Sequence, residues 1–361
     1  MIDTIDDMTR SQIQGFLDHP AFENSYIAIM PDCHAGKGAV IGMTMKINEF
    51  VIPNVIGVDI GCGMLSARFD QDELNCAMLD SFIKRNIPSG FAINKDFQCV
   101  EKPQARDVSA SCARISIDAE KALKAIGSLG GGNHFIEAGY DSQKKLWITI
   151  HSGSRNFGWK VAEFYQKMAK HSCGKHDGDR NGDLSFLRVD SPDGQNYFQD
   201  LQAAQRFASS NREEMLNRII SFIGETPTDI IESVHNFIGD DNVIRKGATP
   251  ARKGEKVIIP FNMRDGLALC VGKGNAQYNN SAPHGAGRIM SRAQAKKQLS
   301  VSDFRKEMSS AGIFTTTATA RTLDEAPGAY KDKEIILENI KDTVEIIDMV
   351  KPVYNFKAEG D

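Results

Sequence analysis

The chain has 361 residues with 43 Lys and Arg against 47 Asp and Glu. It is long enough to bury a sizeable core and slightly acidic, which excludes a protein that holds nucleic acid through a global positive field, so any RNA site has to be a local patch. Seven irregularly spaced cysteines form no disulfide framework and point to a reducing, cytoplasmic setting. The opening MIDTIDDMTRSQ has neither a basic nor an apolar leader region. No apolar run approaches the roughly 20 residues that a bilayer span needs, so a soluble protein without a membrane partner is expected.

Short apolar runs typical of buried strands lead directly into polar, Gly-rich segments. In chain order, Tyr26 to Met30 runs into PDCHAGKG, Val51 to Ile60 into GCG, Trp147 to Ile150 into HSGSRNFG and Val257 to Ile259 into PFNMRDG. Rigid strands delivering polar side chains to loops at one end imply an α+β fold around a central pocket. Between them, Cys173 to Gln195 reads as an irregular, turn-rich excursion, a lid or a surface loop. A helix is predicted from Phe198 to Ile223, and another opens near Ser300 with Asp303 three residues on. A third is predicted from Lys333 to Val350, where Ile336, Ile340, Val344 and Ile347 recur at helical spacing and Pro352 stands beyond as a stop. These helices are expected to pack outside the sheets. No repeat or low-complexity tract divides the chain, so one continuous domain over residues 1–361 is expected, motif-bearing from about 29 to 357.

Eight histidines are present, and His34, His134, His151, His235 and His284 sit in polar, mostly Gly-flanked contexts. A lone histidine is more often structural, but five of eight in such contexts reverse that expectation. In VIGVDIGCGM, Asp59 and Cys62 lie three residues apart on a glycine-loosened turn, so carboxylate and thiolate can face one metal, although a buried cysteine at a strand end is the plainer reading. With three histidines from separate segments they offer five ligands, more than one four-coordinate ion requires and about right for two ions sharing a bridge. Thiolate plus imidazole suits zinc, iron or cobalt, and carboxylates suit manganese or magnesium, so the residues fix a metal site and leave its metal open.

GGGNHF, GSRNFG and HGAGR place small residues beside a side-chain donor, exposing backbone N–H groups to an anion, though glycine clusters are commonly just turns. The run RKGATPARKGEK, with Arg245, Lys246, Arg252, Lys253 and Lys256 facing only Glu255, is a candidate patch for a nucleic-acid backbone or a solvated loop. Arg155 and Arg288, each beside a candidate histidine, are better placed for specific phosphate contacts because a guanidinium grips two oxygens at once.

Taken in order, PDCHAGKGAVIG, VIGVDIGCGM, GGGNHFIE, HSGSRNFG, VHNF, RKGATPA, PFNMRDG and HGAGRIMSR resemble the RtcB family of RNA-splicing ligases. The resemblance implies a catalytic domain of mixed and antiparallel sheets around a metal pocket with peripheral helices. It also implies a GTP-dependent ligase with two Mn2+ ions per active site, joining RNA 2′,3′-cyclic phosphate or 3′-phosphate ends to 5′-hydroxyl ends in RNA repair or tRNA splicing. By resemblance, Asp59, Cys62 and His134 hold one ion, Cys62, His151 and His235 the other, and His284 accepts GMP covalently. Guanosine contacts fall on Asn133, His134, Phe135, Ile136, Glu137, His235, Asn236, Pro260, Phe261, Asn262, Met263, His284, Gly285, Ala286, Gly287 and Lys357; RNA phosphates fall to Arg155, Arg245, Lys246 and Arg288.

Two positions depart from the family pattern: Leu267 stands where serine is common, and the terminal Lys-Gly reads Lys357-Ala358. The role of His34 does not follow from spacing, and Cys33 beside it is an unexpected thiol. His19, His171 and His176 have no motif context. Two competing readings are a metal-dependent phosphodiesterase that hydrolyses without ligation, which leaves His284 unemployed, and a catalytically reduced RNA-binding accessory protein. The substrate RNA and any activating protein are unreadable from the sequence.

Overall fold

The structure, a computed structural model, describes residues 5–17, 19–23, 25–97, 101–173 and 182–358. Its centre is a seven-stranded antiparallel sheet in the order Lys256–Asn262, Gly266–Gly272, Val344–Lys357, Phe135–Tyr140, Leu146–Ser152, Gly63–Phe69 and Asp229–Val234. The interior strand LWITIHS is buried along its whole length, and its β-branched and aromatic residues suit a strand covered on both faces. One face packs Leu65, Ile136, Ile148 and Ile150 against Met215, Leu216 and Ile219 of the long helix Pro192–Ile223. The other face holds Met64, Trp147, Ile258, Leu267 and Val350. The expected α+β architecture with helices outside the sheets is the one observed.

A smaller antiparallel sheet follows the order Ile27–His34, Ile41–Lys46, Val243–Lys246 and Asn236–Ile238. His235 is the residue at which the chain leaves the large sheet for the small one. Its N–H donates to Cys62 O at 2.9 Å, and Gly247 N donates to its carbonyl at 2.7 Å. The two-stranded pairing of Ala248–Pro250 with Ser281–Pro283 then brings His284 over the same junction. Gly247 is forced by that approach: its φ is +63°, and a Cβ there would lie 2.3 Å from Ile41 Cγ2 and 3.1 Å from His284 Cε1.

Several elements differ from expectation. The predicted helix Lys333 to Val350 is a helix only over Lys333–Asn339; Val344–Lys357 is a strand between two others in the large sheet. Val344, Ile346, Ile347 and Val350 are β-branched, and two partner strands outweigh a helical apolar period. Pro352 does not stop this element but sits at a register shift between Pro352 and Tyr354, where a missing N–H is tolerated. Residues 51–56 are buried as expected but Val58 is exposed, and the strand is only Phe50–Val51, because Pro53 opens the short helix Pro53–Ile56. The long helix starts at Pro192, earlier than Phe198, with Ser191 as its cap and Gly224 closing it at φ 80°. The helix Val301–Ser310 has the expected Ser300 cap on Asp303 N. Of the excursion from Cys173 to Gln195, residues 174–181 lie outside the described residues, and Leu187–Arg188 pairs with Phe50–Val51. Among the described residues no helix is long and apolar enough to cross a membrane.

Leu267 is fully buried between strands, in the cluster with Met64, Trp147 and Val350. Leu267→Ser removes core volume and buries a hydroxyl, so it is expected to lower the unfolding free energy by about 3–5 kcal/mol. Urea unfolding reads this directly; a loss under about 1 kcal/mol would mean that the side chain reaches solvent.

Candidate active site

The large sheet aligns its functional ends by register. Gly63 pairs with Ser152 and Val234, and Phe135 pairs with both His151 and Lys357. The residues just outside or at that end are therefore Cys62, His134, His151, His235 and Lys357, all nearly buried. Cys62 Sγ lies 3.3 Å from His151 Nε2 and 3.6 Å from His134 Nε2, His151 Nε2 lies 3.3 Å from His235 Nε2, and His134 Nε2 lies 2.9 Å from Asp59 Oδ2. Ligand atoms in each of two groups, Asp59–Cys62–His134 and Cys62–His151–His235, lie within 4.8 Å of one another.

The donor set fits cations. His134 Nδ1 is 2.8 Å from Leu129 O and His151 Nδ1 is 3.1 Å from Asn133 O; carbonyls only accept, so both Nδ1 atoms carry the proton and turn bare Nε2 lone pairs toward the sulfur. Burial and neighbouring cationic groups hold His151 and His235 well below the ordinary imidazole range. Burial, reinforced by Asp59, pushes the Cys62 thiol well above its usual value, with the Arg212 guanidinium opposing. Asp59 Oδ2 faces His134 Nε2 at 2.9 Å, a further acceptor turned into the same space. Converging lone pairs around one sulfur are what bound cations relieve, and a coordinated thiol loses its proton.

His284 stands at the edge of this cluster, its ring 4.8 Å from that of His235. Its Nδ1 is 2.6 Å from Oδ2 of Asp32, a fully buried carboxylate. Asp32 was not singled out from the sequence, although it stands inside PDCHAGKG; its pairing with a residue so far along the chain leaves no local signal. His34 lines the same cavity, its Nδ1 3.0 Å from Asp32 O, and burial lowers it to about 4.

Asp59, Cys62, His151, His235, His284 and His34 line a cavity of about 790 Å³; His134 and Asp32 do not. In the same cavity Glu137 accepts from Asn355 Nδ2 at 2.9 Å, and burial pushes its carboxyl up to about 8. Lys357 donates to Asn133 O at 2.8 Å, pairs with Glu325 at 2.9 Å and stands 5.0 Å from the Phe135 ring centroid. Glu325 also pairs with Arg288 and Arg292 and accepts from Tyr330 Oη. Glu325, Tyr330 and Asn355 were missed because their segments contain no Gly-flanked histidine. Asn133, Asn236, Pro260, Phe261, Asn262, Met263, Gly285, Ala286, Gly287 and Arg288 line the cavity; His134 and Leu267 do not.

Other expected contacts fall elsewhere. Ile136 points the opposite way from Phe135 and Glu137, by strand alternation, into the core. Arg245 is fully buried, its guanidinium doubly bonded to Asp241 and to Ser281 Oγ, so it is not offered to an RNA backbone. The basic run is divided: Val243–Lys246 is a wholly buried strand, whereas Lys253 and Lys256 are exposed and Arg252 half-exposed, Arg252 pairing with Asp240 and Lys256 with Asp229. Lys246 does line the cavity, donating to Asn54 O at 3.0 Å, and burial lowers it to about 7. Arg155 sits behind the glycine loop, donating to Gly90 O at 2.7 Å and Ser128 Oγ at 3.3 Å, and does not line the cavity. His19 is buried against Phe22 and Phe186, His171 is on a helix surface, and His176 lies outside the described residues.

A family model described as tRNA-splicing ligase RtcB matches residues 12–358. The RNA-splicing ligase RtcB of Escherichia coli K12 is 31% identical over an alignment covering 92% of this chain and 90% of that protein. The tRNA-splicing ligase RtcB of Nanoarchaeum equitans is 28% identical, with 85% and 82% covered, and the RNA-splicing ligase RtcB of Mycobacterium tuberculosis is 27% identical, with 86% and 91% covered.

Sharing of one sulfur has a measurable signature. Equilibrium dialysis followed by elemental analysis is expected to give two metal ions per wild-type chain, one for His235→Ala and fewer than one for Cys62→Ala. Retention of both ions by Cys62→Ala would exclude the bridge.

Proposed function

The chain belongs to the RtcB family and is an RNA ligase that works with a metal cofactor, and from that premise we propose that it seals RNA 2′,3′-cyclic phosphate or 3′-phosphate ends to 5′-hydroxyl ends with GTP and two Mn2+ ions, through a covalent His284–GMP intermediate. The carrying observation is the His284–Asp32 pair beside, but outside, the two ligand groups. Asp59, Cys62, His134, His151 and His235 would hold the ions. Bound there, they would supply Lewis acidity at phosphate oxygens and activate water for opening a cyclic end. The donor set by itself leans to softer metals; manganese comes from the family resemblance.

Asp32 does for His284 what a buried carboxylate does for any nucleophilic imidazole. It accepts the Nδ1–H, fixes the tautomer with a lone pair on Nε2, and stabilises the positive charge that develops. Nε2 attacks the α-phosphorus of GTP, the N–P bond forms, and the bond to pyrophosphate breaks. An oxygen of the RNA 3′-phosphate then attacks the phosphoramidate phosphorus, and the N–P electron pair returns to His284. In the last step the 5′-hydroxyl oxygen attacks the 3′-phosphorus, its proton leaves to water, and GMP departs.

Guanine is assigned to the end of the cavity holding Phe135, Glu137, Asn355 and Lys357. A Glu137 carboxylate accepts from the N1–H and exocyclic amine of guanine, a pattern adenine cannot offer. Lys246 and Arg288, which line the cavity, are left for RNA phosphates. Free thiols at Cys33, Cys62, Cys76, Cys112, Cys173 and Cys270 accord with a reducing, cytoplasmic setting.

Incubation with α-labelled GTP and Mn2+, followed by denaturing electrophoresis, is expected to give a labelled band for wild type and none for His284→Ala. Wild type that takes no label yet opens cyclic ends would be a hydrolase; retention of damaged RNA with neither reaction would make it a binding protein. Asp32→Ala is expected to slow labelling by about 10²–10⁴-fold, as loss of an imidazole's orienting partner does.

Because burial pushes the Glu137 carboxyl up to about 8, it is mostly protonated at neutral pH, and the form that accepts from guanine is the deprotonated one. GTP binding by His284→Ala is therefore expected to tighten as pH rises toward 8, by up to about tenfold per unit below it. Calorimetry should show a released proton that is absent when Glu137→Gln is added; equal affinity across that range in His284→Ala with Glu137 intact would remove Glu137 from base recognition.

A further inference from the structure

In the apolar stripe of the helix Pro192–Ile223, two adjacent polar residues, Asn211 and Arg212, are wholly buried. Neither reaches the cavity. Asn211 Nδ2 donates to Ser152 Oγ at 3.0 Å and Gly153 O at 3.1 Å, while its Oδ1 accepts from Gly127 N at 2.8 Å and Ser128 N at 3.0 Å. Arg212 Nη1 donates to Gly61 O and Ser152 O, both at 2.8 Å, and its Nε and Nη2 reach Glu232 Oε1 at 3.2 and 2.7 Å.

Every one of these partners is on a segment that carries a ligand candidate. Gly61 precedes Cys62, Ser152 follows His151, and Glu232 lies on the strand that ends beside His235. Gly127 and Ser128 open the loop that leads to His134, and Leu129 in that loop accepts from both His134 Nδ1 and Ser152 Oγ. A helix interior fills a stripe with apolar side chains unless polar groups there have partners, and a buried guanidinium is costly to desolvate. Here Asn211 uses its full bonding capacity, and Arg212 four of its five N–H groups, on backbone and side chains that set the spacing between ligand loops.

We propose that Asn211 and Arg212 form a brace that sets the geometry of the two-ion centre, each acting as a positioning residue for a different ion. The inference rests on the two-ion reading of the site. Arg212 ties the Cys62 and His151 turns to the His235 strand, so it governs the Cys62–His151–His235 position. Asn211 ties the His151 turn to the His134 loop, so it governs the Asp59–Cys62–His134 position.

The test titrates Mn2+ into the metal-stripped full chain by calorimetry, beside the visible absorption of the Co2+-loaded protein and the melting temperature of the stripped protein. Arg212→Lys keeps the charge and loses the fork; Glu232→Gln leaves Arg212 in place and weakens its anchor at a partly exposed carboxylate, which protects the test against misfolding. Both are expected to weaken one ion by about 10–100-fold and to change the thiolate–cobalt band. Asn211→Leu is expected to weaken the other ion by a similar factor. The brace is overturned if these variants bind both ions within twofold of wild type while their melting temperatures fall, since the network then supports only the fold. It is equally overturned if all three weaken both ions alike. Wild type that binds two ions while the variants behave so would sink the brace alone; wild type that binds no Mn2+ would sink the metal-centre reading and the brace with it.

Discussion

One sulfur atom and the imidazole nitrogens around it set the terms for the rest of this molecule. Cys62 Sγ and the Nε2 atoms of His134 and His151 converge within 3.6 Å, and His235 Nε2 lies 3.3 Å from that of His151. Electron-rich atoms at such distances repel unless positive charge stands among them, so the fold has to hold the set together from outside. It does so with sheet register, which aligns strand ends, with carbonyls that fix the imidazole protons on Nδ1, and with a helix whose buried polar residues bind the intervening loops. Crossing from the large sheet to the small one at a single residue, His235, lets the two layers meet over the same point.

Charge in the remainder of the cavity follows from burial. Glu325, fully enclosed, is held down to about 2 by Lys357, Arg292 and Arg288 against the effect of burial, which alone would raise it. Glu137, with Asn355 and Lys357 as its opposing influences, goes the other way. Two carboxyl groups sharing one lysine thus reach opposite protonation states, because one has two additional guanidinium partners and the other has none. That contrast separates a structural anion, always charged, from one that can exchange a proton when a polar ligand enters.

Much of this was legible in the chain itself. Apolar runs leading into Gly-rich polar segments marked the strand ends, and the chemistry of Asp59, Cys62 and the histidines marked a metal site, because those signals are local. What failed was non-local. The period of Ile336, Ile340, Val344 and Ile347 fits a helix, and only the two neighbouring strands turn its second half into a strand. Arg245, Arg252 and Lys256 look unpaired in sequence because Asp241, Asp240 and Asp229, which neutralise them, stand outside the run. Asp32 and Glu325 carry no mark of their own; each matters only through partners on distant segments.

The strand Val344–Lys357 lies between Phe135–Tyr140 and Gly266–Gly272 in the large sheet. During synthesis those two neighbours leave the ribosome first and wait with unpaired edges for a segment made much later, a non-local closure that is slow and exposes edges to wrong pairing. The same late segment ends at Lys357, inside the cavity. Chain growth therefore acts as a timer: a nascent chain has Asp59, Cys62 and the clustered histidines well before it has a finished cavity, and the sheet becomes continuous only as that cavity is completed.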